Sequence, residues 1–253
     1  MALLHISIIR VKTIFTMLEK IRLENVLFID IETVPEHENY FQLDHETQDL
    51  FAQKTAYQRK GEIEAEDFYD RAGIWAEFGK IVCISAGFFT FRNDVRHFRV
   101  TSFFGEEEKI LRDFSNLLNN HFGQPQHILC GHNAKEFDIP YIARRMIING
   151  VPLPGKLNLF GKKPWEVPHL DTMELWKFGD YKSFTSLKLL TKILGIPSPK
   201  DDIDGSEVAH VYYIAKDIDR IVTYCEKDVV ATAQILLRFR REELLVDDEV
   251  VHV

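Results

Sequence analysis

The chain has 253 residues, 45% of them hydrophobic and 28% charged, a balance that suits one globular domain with a substantial core and excludes extended disorder. Its three cysteines, Cys83, Cys130 and Cys225, form no Cys-x-x-Cys pair, which excludes a disulfide framework and a zinc ribbon; they read as small core residues in a reducing, cytoplasmic setting. The net charge of −8 argues against phosphate binding over the whole surface, but residues 131–200 hold 11 Lys and Arg against 6 Asp and Glu, a local +5 that leaves −13 elsewhere, so one face is free to be basic.

The opening stretch, Met1 to Ile14, is apolar but is broken by His5, Arg10 and Lys12, too soon for a membrane span. It also lacks a basic start followed by a cleavage site. Met17 offers an alternative translation start, and residues 1–25 are expected to be an extension outside the fold. Val26 to Ile31 is an unbroken apolar run of the kind a strand buried on both faces produces. Residues 35–79 are polar, rich in Glu, Gln and Lys, and are expected to be a helical insertion. Lys80–Phe91 and Val95–Ser102 read as strands of a hairpin joined at Arg92-Asn93-Asp94. A helix follows over 106–122, where Ile110, Leu111, Phe114, Leu117, Leu118 and Phe122 keep helical spacing behind an acidic first turn. Then come a strand at 127–131, a helix at 140–149, a short strand at 168–170, and helices at 171–178, 186–194, 205–214 and 217–241. The domain is taken as 26–241, with 242–253 as an acidic C-terminal tail. A hairpin followed by alternating strands and helices predicts an α/β fold, a mixed sheet covered by helices.

Three carboxylate clusters stand out. In Phe28-Ile29-Asp30-Ile31-Glu32-Thr33 the strand period of two puts Asp30 and Glu32 on one face and Ile29 and Ile31 on the other. Charge next to so apolar a run is costly unless a cation compensates it, although a solvated strand end is the blander reading. In Gly131-His132-Asn133-Ala134-Lys135-Glu136-Phe137-Asp138-Ile139-Pro140, Pro140 suits the first helical position, which makes Ile139 the cap and leaves Asp138 just outside the helix. In Tyr224-Cys225-Glu226-Lys227-Asp228, counting 100° per residue, Asp228 falls about 40° from Tyr224. The two share the apolar side with Ile221, either as a core tyrosine bonded to an aspartate or as a hydroxyl beside a metal ligand.

Taken together, Asp-x-Glu on a strand, Asn-x4-Asp at a helix start and Tyr-x3-Asp in a late helix are a specific combination. It resembles the DEDDy branch of the ribonuclease H-like 3′-5′ exonucleases, and is similar to predicted exonucleases related to the proofreading domain of family B DNA polymerases, from about Val26 to Arg241. The stretches Lys80–Ser85, His169-Leu170-Asp171-Thr172 and Asp204-Gly205-Ser206 share the likeness. The sister DEDDh branch has a histidine five residues before the last aspartate, where this chain has Thr223. The resemblance implies a ribonuclease H-like fold with a mixed five-stranded sheet flanked by helices. It implies metal ligands at Asp30, Glu32, Asp138 and Asp228, with Asp30 bridging two ions, and Tyr224 as the class-defining tyrosine. Asn133 and Thr33 are the implied substrate contacts.

Phosphodiester hydrolysis needs a hydroxide near neutral pH and charge relief on the departing 3′ oxygen, which two divalent cations supply; hard oxygen ligands suit Mg²⁺ or Mn²⁺. Single-stranded DNA is the expected substrate, an RNA 3′ end the alternative, and a silent nucleic-acid-binding module the reading from another class. The complete acidic set speaks against the last. No polymerase domain follows, so any proofreading role is expected to need a polymerase or repair partner in trans, and no membrane is implied. Asp171 reads as a helix cap, and His132 and His169 as satisfied histidines. Lys156–Trp165 interleaves bases and aromatics as a single-strand-binding loop does, or is an ordinary solvated loop.

Overall fold

The computed structural model describes residues 18–93, 95–180, 182–197 and 203–253; the apolar opening stretch, Met17 and Asp94 of the expected turn lie outside them. In chain order the elements are β1 (Val26–Pro35), α1 (His45–Arg59), β2 (Gly79–Arg92), β3 (Val95–Phe104), α2 (Glu107–His121), β4 (Ile128–Gly131) and α3 (Asp138–Ile148). They continue with β5 (Leu170–Asp171), α4 (Thr172–Lys177), α5 (Leu187–Ile193), α6 (Val208–His210), α7 (Ile218–Arg240) and β6 (Val250–His252). One mixed sheet results, in the order β5-β4-β1-β2-β3-β6. The hairpin strands run antiparallel to β1 and to each other, while β4, β5 and β6 each pair parallel with their neighbour.

β1 is central because its residues are apolar on both sides. Leu27, Ile29 and Ile31 pack with Ile110, Leu111 and Phe114 of α2 and Ile139, Ile142 and Met146 of α3. Val26 and Phe28 face the other way, onto Phe89, Phe98 and the α7 residues Val229, Ala233 and Leu236. Each such side chain contributes about 1.5–3 kcal/mol on burial, which makes β1 the most firmly held place in the sheet from which to present a side chain. Gly87 of β2 lets α7 lie close, since a Cβ there would stand 2.4 Å from the Phe98 ring and 2.8 Å from Val229.

Four boundaries differ from the sequence reading. The sheet has six strands rather than five, because the stretch read as an acidic tail returns to the sheet. Val250–His252 pairs with Phe98–Val100, and Arg96 clamps the approach by binding Glu249 and the Glu243 and Leu244 carbonyls at 2.7–2.9 Å. Residues 18–25, assigned to an extension, belong to the fold: Leu18, Ile21 and Leu23 join the α7 cluster, and Arg240 donates to the Leu18 and Ile21 carbonyls. α3 begins at Asp138, with Phe137 as its cap; Pro140 then sits in the first turn, where a missing N–H costs no intrahelical bond. The helix expected over 205–214 is the short α6 continued by a π-helical turn, Val211–Ala215.

Residues 35–79 carry α1 between two 3₁₀ segments, Tyr40–Gln42 and Tyr69–Ile74, around an aromatic cluster of Phe51, Phe68, Tyr69 and Phe78. They are tied to the main body through Gly73, whose carbonyl accepts from the Tyr141 hydroxyl at 2.8 Å.

Candidate active site

Along the α7 side of β1 the sequence runs Val26, Phe28, Asp30, Glu32, so the same period that buries two apolar side chains aims two carboxylates at α7. The pairing of β1 with β2 slips immediately after Glu32, which opposes Cys83 while Thr33 opposes Ile81. Such bulges bend a strand end and re-aim its side chains. Glu32 is 7% exposed, and Asp30 keeps part of its surface open to solvent. Both carboxyl groups are held well above the usual range. For Asp30 burial is the main cause, followed by the charges of Asp138, Asp228 and Glu32; for Glu32 it is burial, then Asp228, Cys83 and Asp138.

Asp138 reaches the centre from α3. Its side chain is 4% exposed and its Oδ1 accepts the Ile31 backbone N–H at 3.1 Å, which pins α3 to β1 between the two acids. Burial pushes its pKa up to about 7, against the opposing pull of backbone hydrogen bonds to Asp138 and Ile31. α7 supplies the remainder. Its N-terminus is capped by Asp217, which accepts from Arg220 N at 3.2 Å, and one turn beyond Arg220 Tyr224 and Asp228 lie one above the other. The Tyr224 hydroxyl is hydrogen-bonded to Asp228, and burial, then the charges of Asp228, Glu32 and Asp30, hold it protonated. Between them in sequence, the Cys225 sulfur lies 3.3 Å from Asp30 Oδ2 and 3.4 Å from the Asp30 carbonyl.

Asp30, Glu32, Asp138 and Asp228 therefore come from three separate elements and raise one another's charge cost at a single place. Every cause acting on Glu32 raises its pKa, so nothing in the described residues repays its ionisation. Oxygen donors in surplus, largely desolvated and without a counter-charge at Glu32, suit divalent cations.

The loop from β4 to α3 frames the centre. Gly131 allows it to turn back at once, since a Cβ there would stand 2.3 Å from that of Ala134 and 3.1 Å from the Ile29 carbonyl. Asp171, at the end of β5, organises it: one carboxylate oxygen accepts from Asn133 N at 3.0 Å and the other from Lys135 N at 3.0 Å. Asp171 also caps α4 through Met173 N and Glu174 N. Asn133 is held at a positive φ of 66°, a conformation Asn tolerates better than most residues. Its Oδ1 is buried without a hydrogen-bond partner among the described residues.

A family model described as a predicted 3′-5′ exonuclease related to the exonuclease domain of PolB matches residues 74–251. The chain belongs to that family. Among solved structures, this exonuclease-family chain is similar to the family B DNA polymerase of the hyperthermophilic archaeon Pyrobaculum calidifontis, at a TM-score of 0.51 and 17% identity over 84% of this chain and 24% of the polymerase. The chain thus spans about a quarter of that polymerase's length, and at that identity the likeness establishes a shared, ribonuclease H-like fold. No curated protein matches. The family match includes Asp138, Tyr224 and Asp228, while Asp30 and Glu32 precede it and enter through the β1 geometry.

Other residues of this exonuclease-family protein are engaged elsewhere. Thr33 lies near Tyr141, on the face of β1 opposite Glu32. His132 bonds Thr172 Oγ1 and the Thr185 carbonyl at 2.9 and 2.8 Å, and burial lowers its pKa. His169 accepts from Leu129 N at 3.2 Å and donates to the Lys156 carbonyl at 2.9 Å, its pKa lowered by burial to about 4. Both are satisfied, as their sequence setting predicts.

A groove of about 1020 Å³ lies on the far side of residues 132–138, against α3, α4 and the Lys156–Trp165 loop, lined by Ile139, Pro140, Leu159 and Phe160 among others. None of Asp30, Glu32, Tyr224 and Asp228 lines it, so it is not the carboxylate centre. Within the basic stretch, Lys135 and Lys177 are already paired with Glu174 and Glu136, at 2.6 and 3.8 Å.

Proposed function

We propose that the protein is a 3′-5′ exonuclease that hydrolyses phosphodiester bonds of single-stranded DNA, with two Mg²⁺ or Mn²⁺ ions held by Asp30, Glu32, Asp138 and Asp228. The observation that carries this reading is the convergence of buried and half-buried carboxylates from β1, α3 and α7, with the pKa values of Asp30, Glu32 and Asp138 each raised by burial and then by neighbouring charges. Bound divalent cations would supply a hydroxide at neutral pH and charge relief for the departing 3′ oxygen.

The chain's own groups have separable tasks. Asp30 sits on the most deeply anchored strand, so its carboxylate is the natural fixed point of the centre. Asp138 is held by Ile31 N, which leaves its second oxygen for a cation or a bridging water. Tyr224 stays protonated and is therefore no general base; its hydroxyl, already leaning on Asp228, orients the attacking water. Asn133, with an unpartnered Oδ1 in a loop fixed by Asp171, is the proposed contact to the terminal nucleotide. Thr33, partly exposed near the end of β1, is the second proposed substrate contact. The exposed aromatics Phe160 and Trp165, 74% and 75% exposed, are proposed to stack unpaired bases away from the carboxylate centre, and a Lys163 cation lies 5.4 Å from the Trp165 ring.

The test is to incubate the chain with 5′-labelled single-stranded DNA, and in parallel RNA, with Mn²⁺, Mg²⁺ or EDTA. A descending ladder on DNA that EDTA abolishes is the expected result. Release of a 5′ mononucleotide first, cutting of a closed circle, or binding without cleavage would each overturn the reading, and a ladder on RNA alone would reassign the substrate.

A further inference from the structure

We infer that the carboxylate centre also accepts a soft divalent cation of the Zn²⁺ or Cd²⁺ type, seated on Asp30, Glu32 and the Cys225 sulfur, and that this occupancy silences the enzyme by excluding the hard cations. The inference rests on reading the acidic centre as a metal site, and adds to it a ligand of a different chemical kind.

One donor atom from each of Asp30, Glu32 and Cys225 lies within 4.8 Å of the other two. A tetrahedral cation with bonds of about 2.3 Å to sulfur and about 2.0 Å to oxygen holds those two ligands about 3.5 Å apart. Cys225 Sγ and Asp30 Oδ2 already stand 3.3 Å apart, so the pair needs an adjustment of only a few tenths of an ångström. Glu32 supplies a further sign of a missing partner: it is 7% exposed, its carboxylate faces Asp30 and Cys225, and no basic side chain among the described residues pairs with it. A carboxylate so enclosed, without a counter-charge, is costly unless a cation completes it.

The donor types decide between occupants. Mg²⁺ and Mn²⁺ take oxygen and gain little from sulfur, whereas Zn²⁺ takes carboxylate and thiolate together and binds a given site more tightly than Mn²⁺. On coordination the Cys225 S–H bond gives way to a sulfur–metal bond and the proton passes to solvent. The same Asp30 oxygen cannot then serve the hard cations, and Tyr224 and Asp228, flanking Cys225 on α7, lose the neighbour they act beside.

The experiment titrates the metal-free full chain with Cd²⁺ and follows the sulfur-to-cadmium charge-transfer absorption in the ultraviolet. One band saturating at a single equivalent is expected. It should vanish in Cys225→Ser and Cys225→Ala and survive in the double variant Cys83→Ser/Cys130→Ser, which leaves Cys225 as the one thiol. In parallel, the Zn²⁺ concentration that halves Mn²⁺-supported cleavage, normalised to each variant's own uninhibited rate, should rise at least about tenfold in Cys225→Ser, since outer-shell changes alone cost metal sites about 10–100-fold. Absence of the band in the wild type, or its persistence without Cys225, overturns the inference. Loss of the band in the double variant assigns the sulfur to Cys83 or Cys130 and overturns it as well. The two readings fail separately: Mn²⁺-dependent cleavage without a band sinks the sulfur site alone, and a Cys225-dependent band without cleavage sinks the exonuclease reading alone.

Discussion

Two buried polar clusters lie on opposite faces of β1, and they are built on opposite principles. On the α2–α3 side, Arg145 is 4% exposed and donates to Glu107 Oε1 at 2.8 Å, to Glu36 Oε2 at 3.1 Å and to the Ala76 carbonyl at 2.9 Å. Glu107 accepts further from Ile81 N and Asn149 Nδ2 at 2.8 and 3.0 Å. Burial pulls the Arg145 pKa down, but the hydrogen bond and charge of Glu107 more than restore it. On the α7 side, Asp30 and Glu32 meet burial and like charges, and their pKa values rise. A cluster that satisfies itself joins the insertion to α2 and α3; a cluster that does not is, on the proposed reading, completed by charge from outside. The contrast supports the proposal that the first cluster is structural and the second functional.

Substitution sharpens that contrast most. Asp30→Asn should abolish cleavage at saturating Mn²⁺ while raising the melting temperature of the metal-free protein, because it removes one member of a repulsive set. Arg145→Met should do the reverse, leaving the centre's ligands in place but lowering stability by about 3–5 kcal/mol through the carboxylates it strands. Circular-dichroism melts of both variants beside a single-turnover assay check the pair. Equal destabilisation by both substitutions would erase the distinction.

Acidity offers the next test. The raised carboxyl groups bind protons in the folded state at pH values where the unfolded chain has released them, so metal-free stability falls as pH rises from the ordinary carboxylate range, about 4, through the value of about 7 for Asp138. Metal-free protein should therefore melt at higher temperature at pH 5 than at pH 8, and in Asp138→Asn the difference should shrink. The carboxylates lowered by partners, such as Glu249 beside Arg96, act in the opposite sense only at lower pH.

Tyr224→Phe has the smallest expected effect. If the hydroxyl orients water, turnover falls on the order of tenfold, about 1.4 kcal/mol of barrier. If it only satisfies Asp228, the change appears as about 0.5–1.5 kcal/mol of stability with turnover intact. A melt and a single-turnover rate on the same preparation distinguish the two.

The functional cluster was more legible in the sequence than the structural one, and the reason is spacing. Asp30 and Glu32 two apart on a strand, and Tyr224 and Asp228 four apart on a helix, are local patterns whose periods announce a shared face. The Arg145–Glu107 pair spans 38 residues, and nothing local connects its halves. Asp138 was found as a candidate but placed outside its helix, because Pro140 suits the first helical position as well as the first-turn position it occupies. Cys225 was missed as a neighbour of Asp30: a lone cysteine inside a helix reads as core, although its place three residues before Asp228, on an adjoining part of the same helix surface, was a usable signal. β6 was missed because three residues in an acidic stretch carry no period at all.

The central claim is that the α7-side carboxylates are completed by cations, and Mn²⁺ binding to the EDTA-stripped protein tests it most directly. Calorimetric titration of the wild type should show two sites, with a stabilisation of about 2.7 kcal/mol for each site at a hundredfold excess over its dissociation constant, and Asp30→Asn should lose both signals. No binding in the wild type, or the same binding and stabilisation in Asp30→Asn, would contradict the account.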